Sequence, residues 1–130
     1  MKKFVVVRTE FEGLHLWADA PEEVGYLRSQ HRHIFNVEAK ISVTHNDREL
    51  EFIMVKHRIN KMISDYVEAK LAECGGDQSR VNLGSCEMMC EYLIEKLFEL
   101  YGDRYYEVSV YEDGENGGKV IKEEGEELYD

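Results

Sequence analysis

The stretch His31-Arg32-His33-Ile34-Phe35-Asn36-Val37-Glu38-Ala39-Lys40-Ile41-Ser42-Val43 alternates with a period of two, and the rest of the chain is best read outward from it. Phe35, Val37, Ala39, Ile41 and Val43 fall on one face of a β-strand, with polar residues between most of them. His31 and His33 continue the apolar face. Two positions apart on a strand, about 7 Å along the backbone, their imidazoles point to one side and are close enough to converge on one ion.

Upstream, Lys3 to Trp17 carries Val5, Val6, Val7, Thr9, Phe11 and Trp17 without a helical stripe, which predicts a first strand with a bulge near Gly13. Asp19 to Ser29, with Pro21 and Gly25, reads as a loop. If the two strands pair antiparallel, His15 brings a third ring to the face that carries His31 and His33. Three neutral nitrogens with an open fourth position are the layout of a catalytic zinc. Histidines with ordinary hydrogen bonds satisfy the same spacing, because His-x-His is short and common, so spacing alone leaves both readings open. His45 and His57 have no such partners and default to the surface.

Downstream, Asn46-Asp47-Arg48 reads as a turn and Glu49 to Phe52 as a short extended piece. Val55, Ile59, Met62, Ile63, Tyr66, Val67 and Leu71 then recur at helical intervals between Ile53 and Glu73, where Cys74-Gly75-Gly76-Asp77 ends the helix. Ser85 can cap a second helix, whose buried stripe is Met89, Cys90, Leu93, Leu97 and Leu100. Tyr105 to Lys122 reads as a hairpin turning at Asp113-Gly114-Glu115-Asn116-Gly117-Gly118. The predicted order is β-β-α-α-β-β, an α+β domain over residues 1–122. Residues 123–130 form an acidic tail, expected to be solvated and frayed.

A length of 130 residues suits one hydrophobic core. A formal charge of -11 disfavours nucleic acid and anionic membrane as partners, since both are held through clustered Lys and Arg. Apolar runs fall far short of the roughly 20 residues a spanning helix needs. Charge arrives too soon after Phe4-Val5-Val6-Val7 for a signal core, so a cytoplasmic protein is expected. Its three cysteines should then stay reduced. Cys86 and Cys90 share a helix face and could offer two thiolates to a metal, but the neighbouring Met88, Met89 and Leu93 favour a core role.

Taken together, these residues resemble the 6-pyruvoyl-tetrahydropterin synthases and their bacterial relatives, the 6-carboxy-tetrahydropterin synthases of the queuosine route. The similarity runs from about Phe4 to Val120. Phe11-Glu12-Gly13-Leu14-His15 stands where the family has an aromatic, small residues and a histidine, and His31-Arg32-His33 is similar to its His-Gly-His. Glu51-Phe52 resembles an Asp-Phe before the first helix, Ser85-Cys86-Glu87 a Thr/Ser-x-Glu, and Val108-Ser109-Val110-Tyr111-Glu112 a Val-x-Val-Tyr-Glu. The resemblance implies the tunnelling fold: a four-stranded antiparallel sheet with two helices on one face, assembled into homo-oligomeric barrels, commonly hexamers. It further implies Zn²⁺ held by His15, His31 and His33. Glu112 would anchor a pterin or purine-like ligand at a subunit interface, with Glu87 and Ser85 nearby. A carboxylate can accept two parallel N–H bonds from such a heterocycle as it does from arginine. For Ser85 and Glu87, a helix cap and a first-turn acid are equally good readings.

The pattern breaks at the base. Family enzymes carry a cysteine four residues before the first histidine of His-x-His, where this chain has Leu27, and an Asp-His pair after the first helix, where it has Glu68 to Glu73. Cys74 is a substitute only if the 74–82 loop folds over the metal, and Asp77 or Glu73 is the other candidate. Local cations for a triphosphate would be Arg28, Arg32 and Lys40. Two functions follow: a divergent zinc lyase acting on dihydroneopterin triphosphate or a related pterin, or an inactive relative that binds a pterin, a guanine-like nucleotide or a signalling molecule.

Overall fold

The computed structural model describes residues 1–128. Its elements are β1 (Lys3–His15), β2 (His31–Val43), α1 (Phe52–Glu73), α2 (Cys86–Tyr101), β3 (Tyr106–Glu112) and β4 (Gly117–Lys122), and short 3₁₀ turns occupy Glu22–Arg28 and Gln78–Arg80. The four strands form one antiparallel sheet in the order β1-β2-β3-β4. The expected β-β-α-α-β-β order and α+β tunnelling-type architecture are therefore found.

The sheet is buried on one side. Phe35, Val37, Ala39, Ile41, Val108 and Val110 meet Val55, Ile59, Ile63 and Tyr66 of α1 and Met89, Cys90, Leu93, Ile94 and Leu97 of α2 in a single core. The opposite face carries Arg8 paired with Glu38, Arg32 with Glu12, and Lys40 and Lys119 both with Glu107. This asymmetry is what the period of two in β2 encodes, because a one-residue slip would turn every apolar side chain outward. Among the described residues, no helix is long and apolar enough to cross a membrane.

Local chemistry revises several boundaries. Instead of bulging near Gly13, β1 keeps unbroken pairing with β2 from Lys3 opposite Val43 to His15 opposite His31, and it stops two residues before Trp17. Gly13 is there for space: a Cβ would collide with Leu83 Cδ1 and lie 3.1 Å from Phe35 Cε2. Gly13→Ala should cost about 1–3 kcal/mol by overpacking, read from urea unfolding; an unchanged midpoint would contradict this account. Glu49 to Phe52 is not an extended piece. Glu51 accepts the backbone N–H groups of Ile53 (3.0 Å) and Met54 (3.2 Å), so its carboxylate starts α1 at Phe52. Met88, expected among the core neighbours of Cys86 and Cys90, is 62% exposed, whereas both thiols are buried and free. Burial pushes them up to about 11 and about 12 respectively, so they remain protonated and act as apolar filler.

The start of the acidic tail is tied down, not frayed. Lys122 is buried, its ammonium lies 2.8 Å from Asp103 and donates to Glu123 O, Asp103 accepts the Gly125 N–H, and Leu128 packs on the core. Residues 129–130 of that tail lie outside the described residues.

Glu49 links the end of β2 to the start of β3. It accepts from Thr44 Oγ1 (2.6 Å) and Thr44 N (2.8 Å) and pairs with Arg104, which also donates to Ser42 O. The Thr44 bonds first, and then Arg104, hold its carboxyl at about 2 instead of the ordinary 4.5. An acid with a depressed folded value stabilises the fold above its unfolded value and loses that contribution as pH falls through the folded one. Glu49→Gln should therefore destabilise at pH 7, and its urea midpoint should converge on wild type between pH 4.5 and pH 2. A gap that persists at the acid end would refute the linkage.

Candidate metal centre

The register of β1 on β2 makes His15 and His31 cross-strand neighbours and sets His33 one pleat further along the same face, opposite Gly13. One ring nitrogen from each histidine lies within 4.8 Å of the other two. Ring centroids are 4.5 Å apart for His15 and His31, 5.2 Å for His15 and His33, and 5.1 Å for His31 and His33. Phe35 forms the floor, its ring 5.4 Å from His15 and 5.9 Å from His33.

The outward nitrogens settle which atoms face inward. His15 Nδ1 is 2.8 Å from Gly84 O and His31 Nδ1 is 2.8 Å from Ser29 O. A carbonyl can only accept, so both Nδ1 atoms carry the proton and donate it. His33 Nδ1 meets the Asp113 carboxylate at 2.7 Å, again an acceptor. Each ring then keeps an Nε2 lone pair free, the arrangement of metal-binding histidines whose other nitrogen is held by an oxygen. Burial, foremost, holds His15 below the usual histidine range and favours the neutral ring a metal requires.

His15 Nε2 and His33 Nε2 are buried and without a hydrogen-bond partner. Glu112 Oε1 lies 3.2 Å from the first, and its Oε2 3.4 Å from the second. Lone pairs of two imidazoles thus face a carboxylate, an arrangement that a cation between them makes favourable. Protonating the rings would crowd like charges at centroid distances of 4.5 to 5.2 Å. One divalent cation satisfies all the lone pairs at once, and three imidazole nitrogens with an open fourth position are a donor set suited to Zn²⁺. The residues present fit the ion.

The other expected site residues are placed differently. Ser85 Oγ accepts the Met88 N–H at 3.2 Å and caps α2, while Glu87 is exposed in its first turn and lies close against Gly118. Neither is hydrogen-bonded to the histidines or to Glu112. The thiol of Cys86, the residue between them, lies 4.0 Å from Glu112 Oε1. Leu27 is half-buried and contributes its carbonyl to Trp17 N, 2.8 Å away, but its side chain has no proton to move.

The segment after α1 does pack beside the strands that carry the three histidines. Gln30 donates to Gln78 O and Val81 O, Leu83 N to Leu14 O, and Leu16 N to Asn82 Oδ1. What this delivers is the Gly84 carbonyl for His15. The Cys74 thiol is turned to Lys70 O and Arg80 O, Asp77 caps Ser79, and Glu73 pairs with Lys70. Arg28, Arg32 and Lys40 are likewise engaged, with Ala20 O and Glu22, with Glu12, and with Glu107.

Asp113 and the carbonyls of Ser29 and Gly84 complete the centre and were not expected from sequence. Asp113 carried only the signal of an Asp-Gly turn; its pairing with His33 spans 80 positions and depends on β3 lying beside β2. The hydrogen bond from His33, and then that from Ile34 N, hold its carboxyl below the usual range.

A search of curated proteins finds no match to the chain. The profile of the family described as 6-pyruvoyl tetrahydropterin synthase matches residues 4–123, nearly the whole chain and every element that builds the centre. The chain belongs to the 6-pyruvoyl tetrahydropterin synthase family.

Proposed function

We propose that the protein holds one Zn²⁺ through His15, His31 and His33 and binds a pterin or purine-like heterocycle beside it, with Glu112 accepting the paired N–H groups of the ligand. The observation that carries this reading is the convergence of buried, unpartnered Nε2 atoms on the Glu112 carboxylate. When bound, the ion would supply Lewis-acid polarisation of a ligand oxygen. The chain's own contribution is to hold three neutral rings in one tautomer, to floor the pocket with Phe35, and to place one carboxylate where N–H donors can be read. Glu87 and Ser85 belong to the rim of this pocket, completed by a second copy of the chain in a homo-oligomer of the barrel type. A cytoplasmic setting, in which the thiols stay reduced, is part of the same reading.

The second reading is turnover of dihydroneopterin triphosphate by a zinc-dependent lyase of the synthase type, favoured by the intact three-histidine cluster in a member of this family. Against it stands Leu27, since a positioned base is worth about 10²–10⁴ in rate. One experiment separates the readings: measure the metal content of the purified chain, then incubate it with dihydroneopterin triphosphate while following triphosphate release and retained heterocycle. Zinc and retained heterocycle without release establish the binder. Release at a rate that His31→Ala abolishes establishes the lyase. A chain with neither metal nor retained heterocycle overturns both.

A further inference from the structure

We propose that Asp113 is a positioning residue for the metal centre, fixing the tautomer of His33 and tying that ring to the β2–β3 seam. The inference rests on the metal reading above and concerns a residue outside the set of ligands.

Asp113 and Gly114 have φ of 54° and 72°, and Glu115 N donates to Glu112 O at 3.0 Å. Two successive left-handed residues inside such a bond make a type I′ turn, for which Asn-Gly and Asp-Gly are both well suited. Turn formation therefore does not explain why the residue is a carboxylate. Its contacts do. Asp113 N donates to Ile34 O at 2.7 Å, Oδ1 accepts the Ile34 N–H at 2.9 Å, and Oδ2 accepts His33 Nδ1–H at 2.7 Å. One side chain thus replaces a backbone carbonyl at the end of the β2–β3 ladder and orients the adjacent ring.

Both jobs require acceptors, and only a carboxylate has two acceptor oxygens. An asparagine has one oxygen and one NH₂. With its oxygen kept on Ile34 N, the amide would present N–H to His33 Nδ1. The imidazole proton would then move to Nε2, where it removes the lone pair aimed at the cluster. The same substitution at a carboxylate that orients a histidine is known to leave geometry intact while imposing the wrong tautomer.

Asp113→Asn tests this, because it preserves the turn and the Ile34 bond. Metal-free protein is read by long-range ¹H–¹⁵N NMR of the imidazole nitrogens, and Co²⁺ affinity by competition with a chromophoric chelator. His33 should change from Nδ1–H to Nε2–H, Co²⁺ affinity should fall about 10- to 100-fold, and the thermal midpoint of the metal-free protein should stay close to wild type. Wild-type tautomer and affinity in the variant would overturn the proposal, as would a tautomer change without loss of affinity. If wild type binds no Co²⁺ at all, the metal reading fails. The NMR measurement on metal-free protein then still decides whether Asp113 sets the ring.

Discussion

Replacing His33 with alanine is expected to weaken Zn²⁺ or Co²⁺ binding by more than about 100-fold, beyond the roughly 10- to 100-fold cost of losing a residue that only orients a ligand. Among the described residues, three ring nitrogens converge within 4.8 Å of one another. Removing His33 leaves two, one on each of two neighbouring strands, too few to hold the ion tightly. Competition against a chromophoric chelator gives the affinity, and the Co²⁺ absorption bands should weaken as coordination by nitrogen is lost. His45→Ala is the control, since that ring is exposed, accepts the Asp47 N–H and lies 3.8 Å from Glu49, outside the three-histidine cluster. Equal affinities for wild type and His33→Ala would remove the metal assignment.

Phe35→Ala should be among the most damaging single changes to stability, at about 3–5 kcal/mol. The ring is completely buried and stacks on Phe11 with centroids 5.3 Å apart. It also lies against the place where a Cβ on Gly13 would sit. Removing it leaves a cavity between β1 and β2 directly under His15 and His33, so two consequences should appear together. Urea unfolding in the presence of a chelator isolates the loss of packing. Repeating it with saturating Zn²⁺ should show a smaller metal-dependent gain than in wild type, since metal stabilises in proportion to how much better it binds the folded state. A loss below about 1 kcal/mol in the chelated protein would mean that the site collapses around the gap, contrary to the packing described.

The identity and order of the elements were legible because each rests on near neighbours in the chain. The alternation in β2 is a property of thirteen consecutive residues, and the helical stripes of α1 and α2 recur within one or two turns. Boundaries were less legible where one long-range contact decided them. In sequence Gly13 reads as a bulge because nothing local shows that Leu83 fills the space beside it, and Glu49 to Phe52 reads as extended because the capping role of Glu51 is a matter of backbone direction. The tail looked frayed because nothing local announces that Asp103 will meet Lys122 and Gly125.

By itself, the sequence determined the alternating strand, the two helices, and the side of the sheet on which His31 and His33 stand, since a period of two or 3.6 is written in consecutive residues. Tertiary structure alone decided that His15 falls opposite His31, that Glu112 faces the same rings, and that Asp113, Gly84 and Ser29 hold the three Nδ1 protons. Hydrogen bonds and ligand sets reach about 3 Å through space irrespective of separation along the chain. Only the register between strands brings positions 15, 31, 33, 112 and 113 to one point, and the segment before α2, bonded along the end of β1, adds position 84.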